Sequence, residues 1–174
     1  MCIRDRGALN ALPKPLIGRI QGPAYGGGLG LICVCDVAIG ALGARFGLTE
    51  TRLGLIPATI GPYVLARLGE AMARRVFMSA RLFPASEAVT LGLLARAVAP
   101  ADLDTAVEAE VAPYLACAPG AVASAKALAL RLGGGIDSDA VEHSIAQLVA
   151  RWESAEADEG IAAFFGKRKA QWMR

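Results

Sequence analysis

Residues Gly22–Asp36 read GPAYGGGLGLICVCD, with three consecutive glycines, Gly26 to Gly28, followed at once by apolar residues. A glycine loses more conformational freedom on folding than any other residue. Three of them before Leu29–Cys35, which reads as a short buried helix, need a reason. One reading is a dinucleotide fingerprint. Gly28-x-Gly30 is followed by Cys33 where the third Gly or Ala belongs, and Glu50, twenty residues beyond Gly30, mimics the ribose-binding acid. Two short strands lie in that interval, where a single crossover helix should fill most of it. A second reading is a purely structural tight turn. A third is a helix N-terminus whose bare amides point at an anion or a developing oxyanion.

Outward from the glycines, the front half mixes strands and helices. Pro15–Gly22, PLIGRIQG, is short, partly alternating and closed by Gly-Pro, which predicts a strand. Asp36–Gly40 and Ala44–Leu48 read as short strands with a turn between them. After Pro57, helical patterns dominate: GPYVLARLG leads into EAMARRVFMSA. PASEAVTLG opens at Pro84 with Ser86 as a cap candidate and stops at Gly92. LLARAVAP reads as a last strand, and the pattern from Ala101 through the tail segment ADEGIAAFFGKRKAQW is helical throughout. The result is an α/β front half and an all-helical rear half, with no repeat and no low-complexity tract.

Composition bounds the function. The chain has 174 residues, 55 % hydrophobic and 20 % charged, which fits one core-forming domain or a core with a small appendage. The net charge of +2, with no single-sign block, gives nucleic-acid binding no support. The apolar runs are too short and too broken by Gly, Pro, Arg and Asp to span a bilayer, and MCIRDRGALNALPKP lacks the apolar centre of a secretory signal. Of Cys2, Cys33, Cys35 and Cys117, the middle pair is two apart, which is neither CxxC nor a zinc spacing. Cys33 and Cys35 read as buried reduced thiols of a cytoplasmic protein. His143 has no Cys or carboxylate at ligand spacing, so no metal site is expected.

The order KP-L-I-G-R-I-Q-G-x-A-x-GGG-x-x-L-x-x-x-CD, with F-G-L-T-E-T-R-L-G-L-I-P after it, resembles the crotonase superfamily, the enoyl-CoA hydratase/isomerases. SARLFPASEAVTLGLLARAV and EADEGIAAFFGKRKAQW are similar to that family's helix-then-strand segment and C-terminal signature, so the likeness runs from about Pro13 to the end. GGGLGL and LIPATIGPYV resemble the branch that hydrates branched acyl-CoA thioesters, including the 3-methylglutaconyl-CoA hydratases of leucine breakdown and the carboxygeranoyl-CoA hydratases of terpene breakdown.

The resemblance implies an α/β fold: a spiral of ββα turns over residues 13–98, with its front part missing, then an α-helical region over 99–174 that the family uses to form trimers or dimers of trimers. Residues 1–12 are expected to be a leader unrelated to the family, because MCIRDR fits nothing in the rest of the pattern. The substrate implied is an acyl-CoA thioester, with coenzyme A as part of that substrate and no separate cofactor. Gly27 maps to one of two backbone amides that polarise the thioester carbonyl. Losing such a donor typically costs on the order of 3–4 kcal/mol of transition-state stabilisation. Gly26, Gly28, Gly30 and Pro57 map to the walls of the substrate site. Phe164 and Lys167 map to the tail segment that reaches coenzyme A phosphates, for which Lys is a natural point charge. The alternative for Arg168 and Lys169 is a solvated basic helix end.

Hydratases of this family commonly use two glutamates. The second maps to Glu50; the first maps to Gly30, which transfers no proton. Water addition needs one group to activate water and one to protonate carbon. A single carboxylate serves both steps in turn, or shuttles a proton in an isomerase. A thioester-binding relative without turnover is the remaining alternative. The apolar surroundings ARFGLTETRLGLIP predict a raised Glu50 pKa through desolvation. The competing reading pairs Glu50 with Arg52, because residues two apart share a face in an extended segment.

Overall fold

The computed structural model describes residues 3–134 and 136–172; Cys2 lies outside them. The chain opens with α1 (Ile3–Asn10), then β1 (Ile17–Ile20), β2 (Ala24–Tyr25), α2 (Gly27–Cys33), β3 (Val37–Ala41) and β4 (Arg45–Gly47). A 3-10 turn, Glu50–Leu53, leads to α3 (Gly61–Phe77), β5 (Phe83–Pro84), α4 (Ala85–Thr90) and β6 (Arg96–Val98). Four helices complete it: α5 (Leu103–Leu115), α6 (Pro119–Leu132), α7 (Ser138–Trp152) and α8 (Ala155–Phe165).

Successive turns of the chain feed two small sheets. One sheet has the order β1-β3-β6 and is parallel, with Ile17 opposite Val37 and Ile39 opposite Arg96. The other has the order β2-β4-β5: Ala24 lies opposite Phe46 in a parallel pair, and Phe46 opposite Phe83 in an antiparallel one. Phe46 and Phe83 are fully buried with ring centroids 6.0 Å apart, a cross-strand aromatic pair that fixes the register of β4 against β5. Leu29 and Ile32 of α2, Val34 just after it, Leu48, and Ile60, Val64 and Val76 around α3 belong to the main core. Leu103 and Ala106 of α5 close a smaller cluster over Ile39 and Ala41 of β3.

Several local expectations change. Ser86 does not cap α4. Pro84 still belongs to β5, with extended φ −78° and ψ 169°, so the helix begins at Ala85 and Ser86 falls within its first turn. Helix α3 runs through GPYVLARLG and EAMARRVF but is kinked at Gly69, φ 72°. The tail helix α8 ends at Phe165, so Lys167 to Lys169 lie beyond it, with Lys167 at a positive φ of 50°. Helix α1 is seated on the core: Ile3 and Arg6 are buried, and Tyr63 Oη donates to the Ile3 carbonyl at 2.8 Å.

The rear helices are held differently. Among the described residues of α6 and α7 none is buried. Helix α6 is strapped to the front half by Lys126, whose Nζ lies 2.7 Å from Asp36 Oδ2 and donates to the Lys14 carbonyl. Asp36 Oδ2 also accepts from the Leu16 amide at 2.7 Å.

Candidate active site

The glycine run is the start of a helix. Gly26 is the N-cap of α2, with φ 47° and ψ −115°, a left-handed backbone that an L side chain rarely adopts. Its amide donates to the Gly47 carbonyl at 3.0 Å, which ties the helix start to the end of β4. Gly27 is the first residue of the helix and is exposed, so its N–H belongs to the first turn, whose amides have no intrahelical acceptor. The first helical bond is Gly30 N–H to the Gly26 carbonyl at 3.1 Å.

Glu50, at the start of the 3-10 turn after β4, meets this run. A Cβ placed on Gly26 would stand 2.9 Å from Glu50 Oε1, so the carboxylate occupies the space that the missing side chain leaves. Glu50 Oε2 is buried and has no hydrogen-bond partner among the described residues. Burial raises the Glu50 pKa above the ordinary glutamate value, and the hydrogen bond from its own backbone amide opposes this more weakly. The Arg52 pairing does not form. Glu50–Leu53 is a 3-10 turn and not an extended strand, so residues two apart diverge, and among the described residues Glu50 makes no ion pair.

Gly30 faces inward. Its Cβ would lie 2.2 Å from Ile60 Cγ2 and 2.7 Å from Ile60 Cβ, and Ile60 is itself 2 % exposed. The volume in which a second carboxylate would sit is occupied by an isoleucine from the loop before α3. Nothing in the local sequence announces this contact, because Gly30 and Ile60 meet only when α2 packs on α3.

Two clefts flank β2. Ala24 and Tyr25 are successive strand residues and point to opposite faces. On the Ala24 side, a cleft of about 480 Å³ is lined by Gly28, Leu31, Ile32 and Cys35 of the α2 segment and by residues around β1. On the Tyr25 side, a cleft of about 390 Å³ is lined by Thr49, Arg52, Leu53, Leu82, Phe164 and Arg168, among others. Phe164 therefore comes to the flank of the Glu50 turn, and Gly28 to the opposite cleft. Gly26, Gly27, Gly30, Glu50, Pro57 and Lys167 line neither; Pro57 is buried in the loop after the Glu50 turn, and Lys167 is exposed.

The thiols divide by burial. Cys33 is buried and its pKa is pushed up to about 12 by desolvation; Cys35 is partly buried and Cys117 exposed, and all three are free. His143 lies exposed on α7, and among the described residues no group of three or more His, Cys, Asp or Glu is gathered at metal-binding distance. No single helix among them is long and apolar enough to cross a membrane.

Residues 6–174 match the enoyl-CoA hydratase/isomerase family, a match that begins within α1. The chain is 32 % identical to enoyl-CoA hydratase AKT6-1 of Alternaria alternata, over 95 % of this chain and 56 % of that protein. It is also 32 % identical to the crotonyl-CoA hydratase of Syntrophomonas wolfei, over 95 % of this chain and 64 % of that protein. A crystal structure of an enoyl-CoA hydratase from Mycobacterium avium superposes with a TM-score of 0.89 at 31 % identity, covering 98 % of this chain and 67 % of that one. The chain belongs to the enoyl-CoA hydratase/isomerase family. It spans 56–65 % of the length of curated relatives that it matches.

Proposed function

We propose that this chain carries the acid/base and oxyanion-binding part of a lyase that adds water across the double bond of an enoyl-CoA thioester. The observation that carries this reading is the contact between the Glu50 carboxylate and the glycine run, with one oxygen buried and, among the described residues, without a hydrogen-bond partner. A carboxylate desolvated in this way holds a proton more readily than a solvated one and gives it up to a developing carbanion. Glu50 takes a proton from water as the water oxygen bonds to the β-carbon. The electron pair of the double bond moves onto the thioester, and the Gly27 N–H receives the charge on its oxygen. The same carboxyl then delivers the proton to the α-carbon. Gly26 and Gly28 keep the backbone bare beside the thioester, Gly30 and Pro57 shape the buried wall, and Phe164 and Lys167 receive the coenzyme A end. Coenzyme A is part of the substrate and no further cofactor takes part.

Within the family we assign the substrate to branched, 3-methylglutaconyl-like thioesters, on the likeness of GGGLGL and LIPATIGPYV to that branch. The test tracks the absorbance of the conjugated thioester with 3-methylglutaconyl-CoA and crotonyl-CoA. Glu50→Gln is expected to lower hydration by the ~10²–10⁴-fold typical of general acid–base catalysis and to leave thioester binding in place. Hydration by Glu50→Gln at the parent rate ends the acid/base assignment.

Gly30 against Ile60 favours a second reading, an isomerase in which one carboxylate moves a proton between carbons. Double-bond migration in a 3-enoyl-CoA, without water uptake, distinguishes it. For assembly we propose a homotrimer or a dimer of trimers built on the rear helices. Leu115, Leu132 and Trp152 stand 81 %, 77 % and 57 % exposed there, and light scattering reads the state directly.

A further inference from the structure

The turn that bears Glu50 is held from below by the tail helix. Gly54, which ends the turn, has φ 72°, and a Cβ on it would lie 2.4 Å from the Glu156 carbonyl oxygen. A Cβ on Gly160 would lie 2.5 Å from the Leu53 carbonyl carbon. The backbone of α8 is thus flush against the turn, with no side chain between them. Inside the turn, the Leu55 amide donates to the Glu50 carbonyl at 3.2 Å and the Gly54 amide to that of Thr51 at 3.3 Å. The Gly54 carbonyl, at the end of the turn, receives two bonds from a single side chain. Arg151, at the end of α7, donates to it through Nε at 3.1 Å and Nη2 at 2.7 Å. Its Nη2 also lies 2.5 Å from Glu156 Oε2 at the start of α8. One guanidinium joins the end of one helix, the start of the next and the turn that carries Glu50.

We propose that Arg151 is a positioning residue for Glu50: by gripping the Gly54 carbonyl it fixes the 3-10 turn on α8 and so holds the Glu50 carboxylate against Gly26. The proposal rests on the reading of Glu50 as the acid/base group, and its test is independent of turnover. Two forked bonds to one carbonyl fix direction as well as distance, which a lysine point charge does not. Other charged groups on the elements that meet here are Glu50 and Arg52 on the turn, Glu153 at the end of α7, and Glu156 and Asp158 in the first turn of α8.

The measurement is the pH titration of the Glu50 carboxyl carbon by NMR in the full chain labelled with ¹³C-glutamate, assigned by its loss in Glu50→Gln. Arg151→Met keeps the aliphatic stem and removes every donor. If Arg151 acts only as a nearby positive charge, its loss disfavours the carboxylate and moves the Glu50 midpoint up. If it positions the turn, its loss lets the carboxylate swing out to water, and the midpoint falls towards the ordinary value of about 4.3. The expected result is a fall in Arg151→Met, a smaller fall in Arg151→Lys, and the parent value in Glu156→Gln, which leaves both bonds to Gly54 intact. A Glu50 midpoint that stays at the parent value or rises in cooperatively folded Arg151→Met overturns the proposal. Should that variant not fold, an unchanged midpoint in Arg151→Lys overturns it instead. In turnover, kcat should fall more than KM rises. If the parent hydrates no enoyl-CoA, the functional reading fails while the titration still decides the role of Arg151.

Discussion

Replacing Gly30 by alanine adds one methyl group to α2, and the structure sets two opposing terms for it. Removing a glycine from a helix interior gains about 0.5–1 kcal/mol. The new Cβ, however, falls 2.2 Å from Ile60 Cγ2, and Ile60 is buried in the main core and has nowhere to swing. Overpacking of this kind costs about 1–3 kcal/mol, and so short an approach belongs at the upper end. The net expectation is a loss of about 2 kcal/mol, which for a domain of this size lowers Tm by roughly 4–8 °C. Gly28→Ala is the control in the same helix. Its Cβ meets Ala24 Cβ at 3.6 Å, an ordinary contact, so that variant should match or exceed the parent. Ile60→Ala alone should cost about 2–5 kcal/mol as a large-to-small core change. In that background Gly30→Ala should become neutral or stabilising, because the Cγ2 contact has gone and the cavity lets the two Cβ atoms move apart. Urea denaturation of the four members of the cycle gives the coupling. Strict additivity, or a Gly30→Ala chain as stable as Gly28→Ala, would refute the claim that Ile60 fills the space beside Gly30. Gly30→Glu alone should then fail to install a second carboxylate and should unfold the chain more than Gly30→Ala does.

The ionisable groups set further outcomes. Because burial raises the Glu50 pKa, the folded state holds this proton more tightly than the unfolded chain does. The stability linked to that proton is present below about pH 4.3 and is lost as pH rises through the folded midpoint. Glu50→Gln should therefore be more stable than the parent at neutral pH, and the gain should vanish in acid; equal unfolding curves at pH 7 would contradict the desolvation argument. Lys126→Met removes the strap on α6 and leaves Asp36 without its cation, and with the Lys126 side chain only 10 % exposed we expect a loss of about 1–3 kcal/mol. That loss should persist in high salt, which screens exposed pairs far more than sheltered ones. Limited proteolysis should then cut first at the ends of α6.

Much of this protein was legible in its sequence because the signals were local. The alternation of short apolar strands with glycine and proline stops marked the α/β front half, and sustained helical periodicity marked the rear. The glycine run pointed to a helix start, and the apolar surroundings of Glu50 predicted the direction of its pKa shift. What the sequence did not carry depends on groups brought together by packing. Strands β2 and β5 have two residues each and exist only because β4 pairs with both. Ser86 looked like a cap by residue type alone, whereas the pairing of Pro84 with Arg45 decided where α4 begins. Arg52 seemed a partner for Glu50 only while the segment was taken as extended; its winding into a 3-10 turn, flush against α8, separated them. The contact of Ile60 with Gly30 and the grip of Arg151 on Gly54, 97 residues away, have no local signature. Periodicity and residue type record which side of an element is buried, but only the tertiary fold decides which atoms it is buried against.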